Sequence, residues 1–361
     1  MDKRVVLALA GSGKTYYIAH DFKETERVYL ISFTNRNVNN IRIEVKKRFN
    51  GIVPKNVMIT TFDTFVYNQL LKPIEILLKP RGIELHGVEV NKRPITDTRD
   101  RRYKALDLCE HYITCENKIF VNRMSKLVVK QLCEVKKILL KRLKHYCDTI
   151  YFDEFQDYNG NDFKLLEWIM NAFEGNVVAV GDIYQSLVTP IRRDGSRIDQ
   201  KPFNSISTYD DLCEQTNFSE KTKLITDELQ CSRRVSRNIA DLVSQNIGIP
   251  ITGHNDGGEI IYLNSIDEID DVMCNKDIVK LIWNKRSVCE GMNNYVNWSN
   301  SKGDTYEAAC VVLTESTSNI TGWNELPNKV RNTLYVALTR SKRDLYIVNA
   351  ENFKKWKKRY S

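Results

Sequence analysis

An α/β fold with parallel sheets is predicted by three features of the 361-residue sequence. Short apolar runs recur along the chain, helical patterns lie between several of them, and the clusters of polar residues stand where the runs end. Such alternation argues for parallel strands joined by helical crossovers. Ligands of such sheets bind outside the carboxyl ends of the strands.

Five runs dense in Val, Ile, Leu or aromatic residues read as buried strands in the first half: Arg4–Ala10, Arg27–Ser32, Val57–Phe62, Thr149–Glu154 and Asn176–Asp182. Polar or glycine-bearing residues stand at or just beyond the end of each one. After about residue 222 a second series begins, with Glu259–Asn264, Asp277–Trp283, Asn294–Trp298, Ala308–Leu313 and Asp344–Asn349. Between Phe65 and Tyr146 the pattern changes. Lys126–Tyr146 carries Val128, Leu132, Val135, Leu139 and Leu143 at helical spacing, with lysines on the other faces, so a small, mostly helical insertion is expected there. Those lysines either grip a polyanion or form the solvated face of an amphipathic helix.

The chain is long enough for two domains with separate cores. No run of eighteen apolar residues occurs, which argues against a membrane span. Met1-Asp2-Lys3-Arg4 leads into a strand without a signal-peptide pattern, so the expected location is a cytosol, or a nucleus or virus factory that shares its redox state. The nine cysteines form no C-x-x-C pair, and reduced, mostly buried thiols are expected rather than disulfides or zinc ligands. A net charge of +8 points only weakly to a polyanion. Its clustering is more telling: Lys126, Lys130, Lys136, Lys137, Lys141, Arg142 and Lys144 crowd one stretch, and Phe353–Arg359 forms a basic tail around Trp356.

The first strand runs into Ala8-Leu9-Ala10-Gly11-Ser12-Gly13-Lys14-Thr15, which fits the phosphate-loop pattern G-x-x-x-x-G-K-[ST] except that Ala8 holds the first glycine position. Glycines let backbone N–H groups of Ala10, Gly11, Ser12 and Gly13 curl around phosphate oxygens. Lys14 is the candidate for the β- and γ-phosphates, and the Thr15 hydroxyl for Mg²⁺. A second strand delivers adjacent carboxylates: Asp153 is the candidate to hold Mg²⁺ through water, and Glu154 the base that orients and deprotonates the attacking water. An anion clamp and a metal site together predict ATP hydrolysis, because phosphoryl transfer is catalysed by positioning and electrostatics.

Further segments narrow the choice. They are Ile31-Ser32-Phe33-Thr34-Asn35-Arg36, Thr60-Thr61-Phe62-Asp63-Thr64-Phe65, Asp153-Glu154-Phe155-Gln156-Asp157, Val180-Gly181-Asp182-Ile183-Tyr184-Gln185-Ser186, Leu229–Arg234, Ser301-Lys302-Gly303-Asp304 and Tyr335-Val336-Ala337-Leu338-Thr339-Arg340. In that order along nearly the whole chain, they resemble the motifs of the UvrD/PcrA/Rep-type superfamily 1 DNA helicases. The resemblance implies two RecA-like P-loop NTPase domains with parallel sheets, the first spanning 1–66 and 148–222, a helical basic insertion at 67–147, and the second domain at 223–361. It implies ATP and Mg²⁺ in a cleft between those domains, with Gln185 sensing the γ-phosphate, Arg234 and Arg340 reaching it from the second domain, and Gly303 in the loop that couples the nucleotide to the strand. It places Phe33, Thr34, Asn35, Thr61, Phe62, Asn297 and Ser299 along single-stranded or tailed duplex DNA. Phe33 would be a stacking face. The implied polarity is 3′ to 5′.

The match is incomplete. Seven residues precede Ala8, leaving no counterpart of the family's adenine-reading glutamine segment, and Arg233 replaces the adenine-stacking tyrosine. The choice of ATP over other NTPs therefore stays open. Thr189–Arg193 stands where the family has an aromatic platform, and Asn297, Ser299 and Thr305 stand for its Thr, His and Glu. The interval from Arg234 to Lys302 has room only for a core, not for the family's large accessory insertion. Beside helicase or translocase action, two other readings stay open: a nucleic-acid-stimulated NTPase switch that does not unwind, and a binding module with a structural nucleotide site. RNA is an alternative track.

Overall fold

The computed structural model describes residues 1–97, 99–104, 106–189, 192–193, 198–255 and 257–360. The strands run β1 (Lys3–Ala8), β2 (Val28–Ser32), β3 (Val57–Thr61), β4 (Gly87–Glu89) and β5 (Lys118–Phe120), then β6 (Thr149–Asp153), β7 (Asn176–Gly181), β8 (Lys223–Leu229), β9 (Cys231–Ser236) and β10 (Thr252–Asn255). They end with β11 (Ile260–Tyr262), β12 (Val279–Ile282), β13 (Tyr295–Asn297), β14 (Ala309–Val312) and β15 (Leu345–Val348). All ten predicted strands are present; nine are trimmed at one or both ends, and the first starts one residue earlier, at Lys3, and ends two residues sooner, at Ala8. By contact, the chain divides into one unit of 1–6, 14–181 and 191–225, and another of 7–13, 182–190 and 226–361.

A six-stranded sheet has the order β3-β2-β6-β7-β1-β8, and β3, β2, β6 and β7 pair in parallel. β2, β6 and the end of β1 are buried, which explains their unbroken apolar runs. Register sets the chemistry: Ile31 pairs with Phe152, so the next residues, Ser32 and Asp153, leave the sheet side by side. Strand β8 escapes the sequence pattern because its residues are half-exposed and interspersed with charge.

The insertion holds helices and a small parallel pair, β4 with β5. The continuous helical spacing of Lys126–Tyr146 resolves into two helices, Met124–Val129 and Cys133–Tyr146. The break coincides with a contact to a segment distant in sequence. The buried Gln131 side chain donates to the carbonyls of Lys79 and Leu127 and accepts from the Lys79 N–H, which ties it across to another segment. Leu132 then becomes the extended residue before the second helix, and its side chain is exposed instead of core.

In the second unit β11-β15-β14-β12-β13 form a sheet in which every pairing is parallel, as expected of a RecA-like domain. Strands β9 and β10 form a separate parallel pair. The basic tail is a helix, Ala350–Lys357, whose Trp356 is fully buried and donates its indole N–H to Asp270 at 2.7 Å. That tryptophan is core, while Lys354, Lys355, Lys358 and Arg359 around it are exposed. The expectation of mostly buried thiols is corrected. Cys147 and Cys310 are buried, whereas Cys115, Cys133, Cys213, Cys231 and Cys274 are exposed, and all nine cysteines are free.

Candidate nucleotide and nucleic-acid sites

Strand β1 carries Leu9–Gly13 out of the core. Gly11 and Gly13 have φ of +75° and +97°, which only glycine adopts without strain. Gly11 is needed twice over, because a Cβ there would fall 2.6 Å from Ser232 Oγ and 2.7 Å from Arg234 Cβ. Its carbonyl accepts from the Arg233 N–H at 3.0 Å, so the loop lies against β9 and Arg234 stands beside it. Ser12 donates its hydroxyl to the Leu9 carbonyl at 2.8 Å. Lys14 and Thr15 open the helix Lys14–His20. Ala8, in the first glycine position of the pattern, is still inside β1 and buried, where a glycine's freedom is not required.

Asp153 ends β6 and is 3% exposed. It accepts from the Ser32 hydroxyl at 2.8 Å. Burial, and then the negative charge of Glu154, push its carboxyl up to about 7, while the Ser32 bond and the positive charge of Lys14 act the other way. Lys14 is therefore near enough to favour the ionised form of Asp153. Glu154 sits in the left-handed region at φ +52° and accepts from the Gln156 amide. A side chain so placed costs about 1–3 kcal/mol in backbone strain, and such strain collects at functional sites. Gly181 at the end of β7 is packed by this turn, since a Cβ there would meet Gln156 Oε1 at 2.2 Å. Thr15 and Asp153 offer the hard oxygen ligands that suit Mg²⁺. Among the described residues there is no cluster of three His, Cys, Asp or Glu, so phosphate and water oxygens would have to complete a magnesium shell.

Gln185 is buried and donates its side-chain N–H to Asp182 Oδ2 at 2.7 Å. Arg340 is 1% exposed. Its guanidinium donates to the carbonyls of Val336 at 2.7 Å and Asp304 at 3.3 Å, and to Thr339 Oγ1 at 3.1 Å. It thereby holds the turn that contains Gly303, whose φ is +86°.

The residues expected along a nucleic acid divide differently. Phe62 is 1% exposed and meets Tyr158 edge-on at 4.7 Å. It supports Phe33, which lies 6.4 Å away with a nearly parallel ring. Phe33 is half-buried, and Arg192 lies 4.5 Å over its ring while pairing with Asp63 at 2.8 Å. Within the departing stretch, Arg192 therefore puts a guanidinium on Phe33, while residues 190 and 191 lie outside the described residues. Thr34 and Thr61 spend their hydroxyls as helix caps, accepting from Asn37 N–H at 3.2 Å and Thr64 N–H at 3.3 Å. Asn35 is exposed in the first turn that Thr34 caps. Asn297 ends β13, and Ser299 lies in the short turn that follows, anchored by the buried Trp298 through its bond to the Leu281 carbonyl at 2.9 Å.

Residues 2–191 match an AAA domain family, and residues 104–349, more than half of the chain, match the viral superfamily 1 RNA helicase core domain. The chain belongs to the superfamily 1 helicases. No curated protein matches it. Among solved structures it is similar to an arterivirus nonstructural protein 10 helicase in complex with DNA, with 13% identity, TM-score 0.48, and coverage of 96% of this chain and 61% of that one. The PRRSV helicase gives 10% identity, TM-score 0.48, and coverage of 96% and 52%. The arterivirus helicase without DNA gives 14% identity, TM-score 0.47, and coverage of 99% and 62%. The chain thus spans between 52% and 62% of the length of these relatives.

Two residues of this superfamily 1 helicase carry contacts that motif reading did not assign. Asp182 and Tyr335 are both buried, and the Tyr335 hydroxyl donates to Asp182 at 3.1 Å. Both letters stand inside matched motifs. The available signal was an acidic residue at the end of an apolar strand, which has to find a partner when buried. No helix among the described residues is long and apolar enough to cross a membrane.

Proposed function

We propose that this superfamily 1 helicase binds ATP with Mg²⁺ and uses its hydrolysis to move along single-stranded nucleic acid. One observation carries the reading: β6 ends in a buried Asp153 whose carboxylate is held by the Ser32 hydroxyl at 2.8 Å, with the half-buried Glu154 next to it in a left-handed turn, and the phosphate-loop lysine Lys14 acts on Asp153 as a nearby positive charge. In this reading Ala10, Gly11, Ser12, Gly13, Lys14 and Thr15 hold the phosphates, and Thr15 and Asp153 hold the cation. Glu154 and Gln185 place the attacking water, while Arg234, Arg340 and Gly303 respond to the γ-phosphate. Magnesium supplies charge neutralisation on the transferred phosphoryl group. The order of the motifs supports UvrD/PcrA/Rep-type kinship, 3′-to-5′ movement and the division into 1–66 with 148–222, 67–147 and 223–361.

Phe33, Thr34, Asn35, Thr61, Asn297 and Ser299 are the proposed strand contacts, with Phe62 acting behind Phe33. DNA is the first track, supported by the motif resemblance. RNA is a second, favoured by the match to a family described as RNA helicases. ATP hydrolysis measured alone, with single-stranded DNA and with poly-uridine RNA tests the proposal. Stimulation by either strand supports a motor and names its track. Hydrolysis that ignores both strands overturns the motor and leaves a nucleotide switch.

A further inference from the structure

A chain of buried hydrogen bonds links Gln185 to the phosphate loop. Gln185 Nε2 donates to Asp182 Oδ2 at 2.7 Å, and the Tyr184 N–H donates to Asp182 Oδ1 at 3.1 Å. Tyr335 donates its hydroxyl proton to Asp182 Oδ2 at 3.1 Å and accepts, on the same oxygen, the Ala10 N–H at 2.9 Å. All five residues belong to the second unit, and Ala10, Asp182, Gln185 and Tyr335 are nearly or wholly inaccessible. Burial and the charge of Asp182 hold the Tyr335 phenol well above its ordinary range, so its proton stays in the bond.

An amide side chain has a donating and an accepting end, and its neighbours decide which way it faces. An ionised carboxylate only accepts. Asp182 therefore fixes Gln185 with Nε2 toward the acid and Oε1 turned away, the end that can accept a hydrogen bond from water. We propose that Asp182 and Tyr335 are positioning residues for nucleotide hydrolysis, which set the facing of the Gln185 amide and tie it to the backbone of the phosphate loop at Ala10. This inference rests on the reading of Gln185 as a residue that acts at the γ-phosphate.

Asp182→Asn keeps the volume but offers Gln185 both a donor and an acceptor, so either facing becomes available. Steady-state ATP hydrolysis by the full chain should show kcat reduced about 100-fold with KM within about threefold of the parent, the size expected when a reacting partner is misplaced. Tyr335→Phe removes one link and should lower kcat about tenfold in the same pattern. Groups that act as one unit are not additive, so the double variant should fall within about threefold of Asp182→Asn alone. Unchanged kcat in Asp182→Asn, a loss confined to KM, or losses that multiply in the double variant would each overturn the inference. Should Asp182→Asn lose its far-UV circular dichroism, the near-isosteric Tyr335→Phe decides alone: kcat reduced at constant KM supports the inference, and a parental kcat overturns it. Lys14→Ala is the separate control. If that variant hydrolyses ATP at the parental rate, it is the nucleotide-site reading that fails.

Discussion

The strand ends that carry the phosphate loop and the Asp153–Glu154 pair contrast with the patch around Phe33. At the first, backbone geometry does the positioning: two left-handed glycines, a left-handed Glu154, and a register that sets Ser32 abreast of Asp153. Around Phe33 the residues of the matching motifs are largely spent on the fold. Phe62 is core, Thr34 and Thr61 cap helices, and Arg192 with Asp63 covers the Phe33 ring. Phosphate chemistry demands particular backbone conformations, which leave a fixed signature in sequence. Stacking on a strand demands only an accessible ring, and a motif letter does not say whether the ring is accessible.

Lys14→Ala tests the first region most severely. Hydrolysis should fall below detection in a phosphate-release assay while far-UV circular dichroism stays unchanged, and retained turnover would remove the distinction between the regions. Phe62→Ala should act on folding, at about 3–5 kcal/mol for a buried aromatic, read as a lowered urea midpoint. Phe33→Ala should instead cost about 1–3 kcal/mol of single-strand affinity by the loss of a stacking face, measured by fluorescence anisotropy, with little change in that midpoint. If the two phenylalanines behave alike, the division of the patch into support and face is wrong.

Proton linkage sharpens the same contrast. Burial raises the Asp153 carboxyl from 3.8 to about 7, so the protonated form is favoured in the fold and a cation must displace that proton. The stability this proton contributes is complete below the unfolded value near 3.8 and is lost as pH rises through about 7. Magnesium affinity of the nucleotide complex should run the opposite way, rising by up to about tenfold per pH unit below 7 and levelling above it. Calorimetric titration at pH 6 and pH 8 measures this, and equal affinities would show that Asp153 is not a ligand. The smallest effect is expected from Thr34→Ala, about 1 kcal/mol of stability from a lost helix cap, seen in the thermal midpoint.

The sequence by itself determined the strands of the two large sheets except β8, because a strand buried inside a sheet reads as an apolar run, and it determined the phosphate loop and the acidic pair, because their spacing is dictated by backbone geometry. Tertiary structure decided what no local pattern holds. It broke the Lys126–Tyr146 helix by tying Gln131 to Lys79, placed the tail's Trp356 against Asp270, and set the donors of Arg340 on the Gly303 turn. It also paired Asp182 with Tyr335 across 153 positions. Each of these is a buried polar group finding its partner. Burial makes the partner obligatory, but which residue supplies it depends on how distant segments pack, and short-range periodicity does not record that.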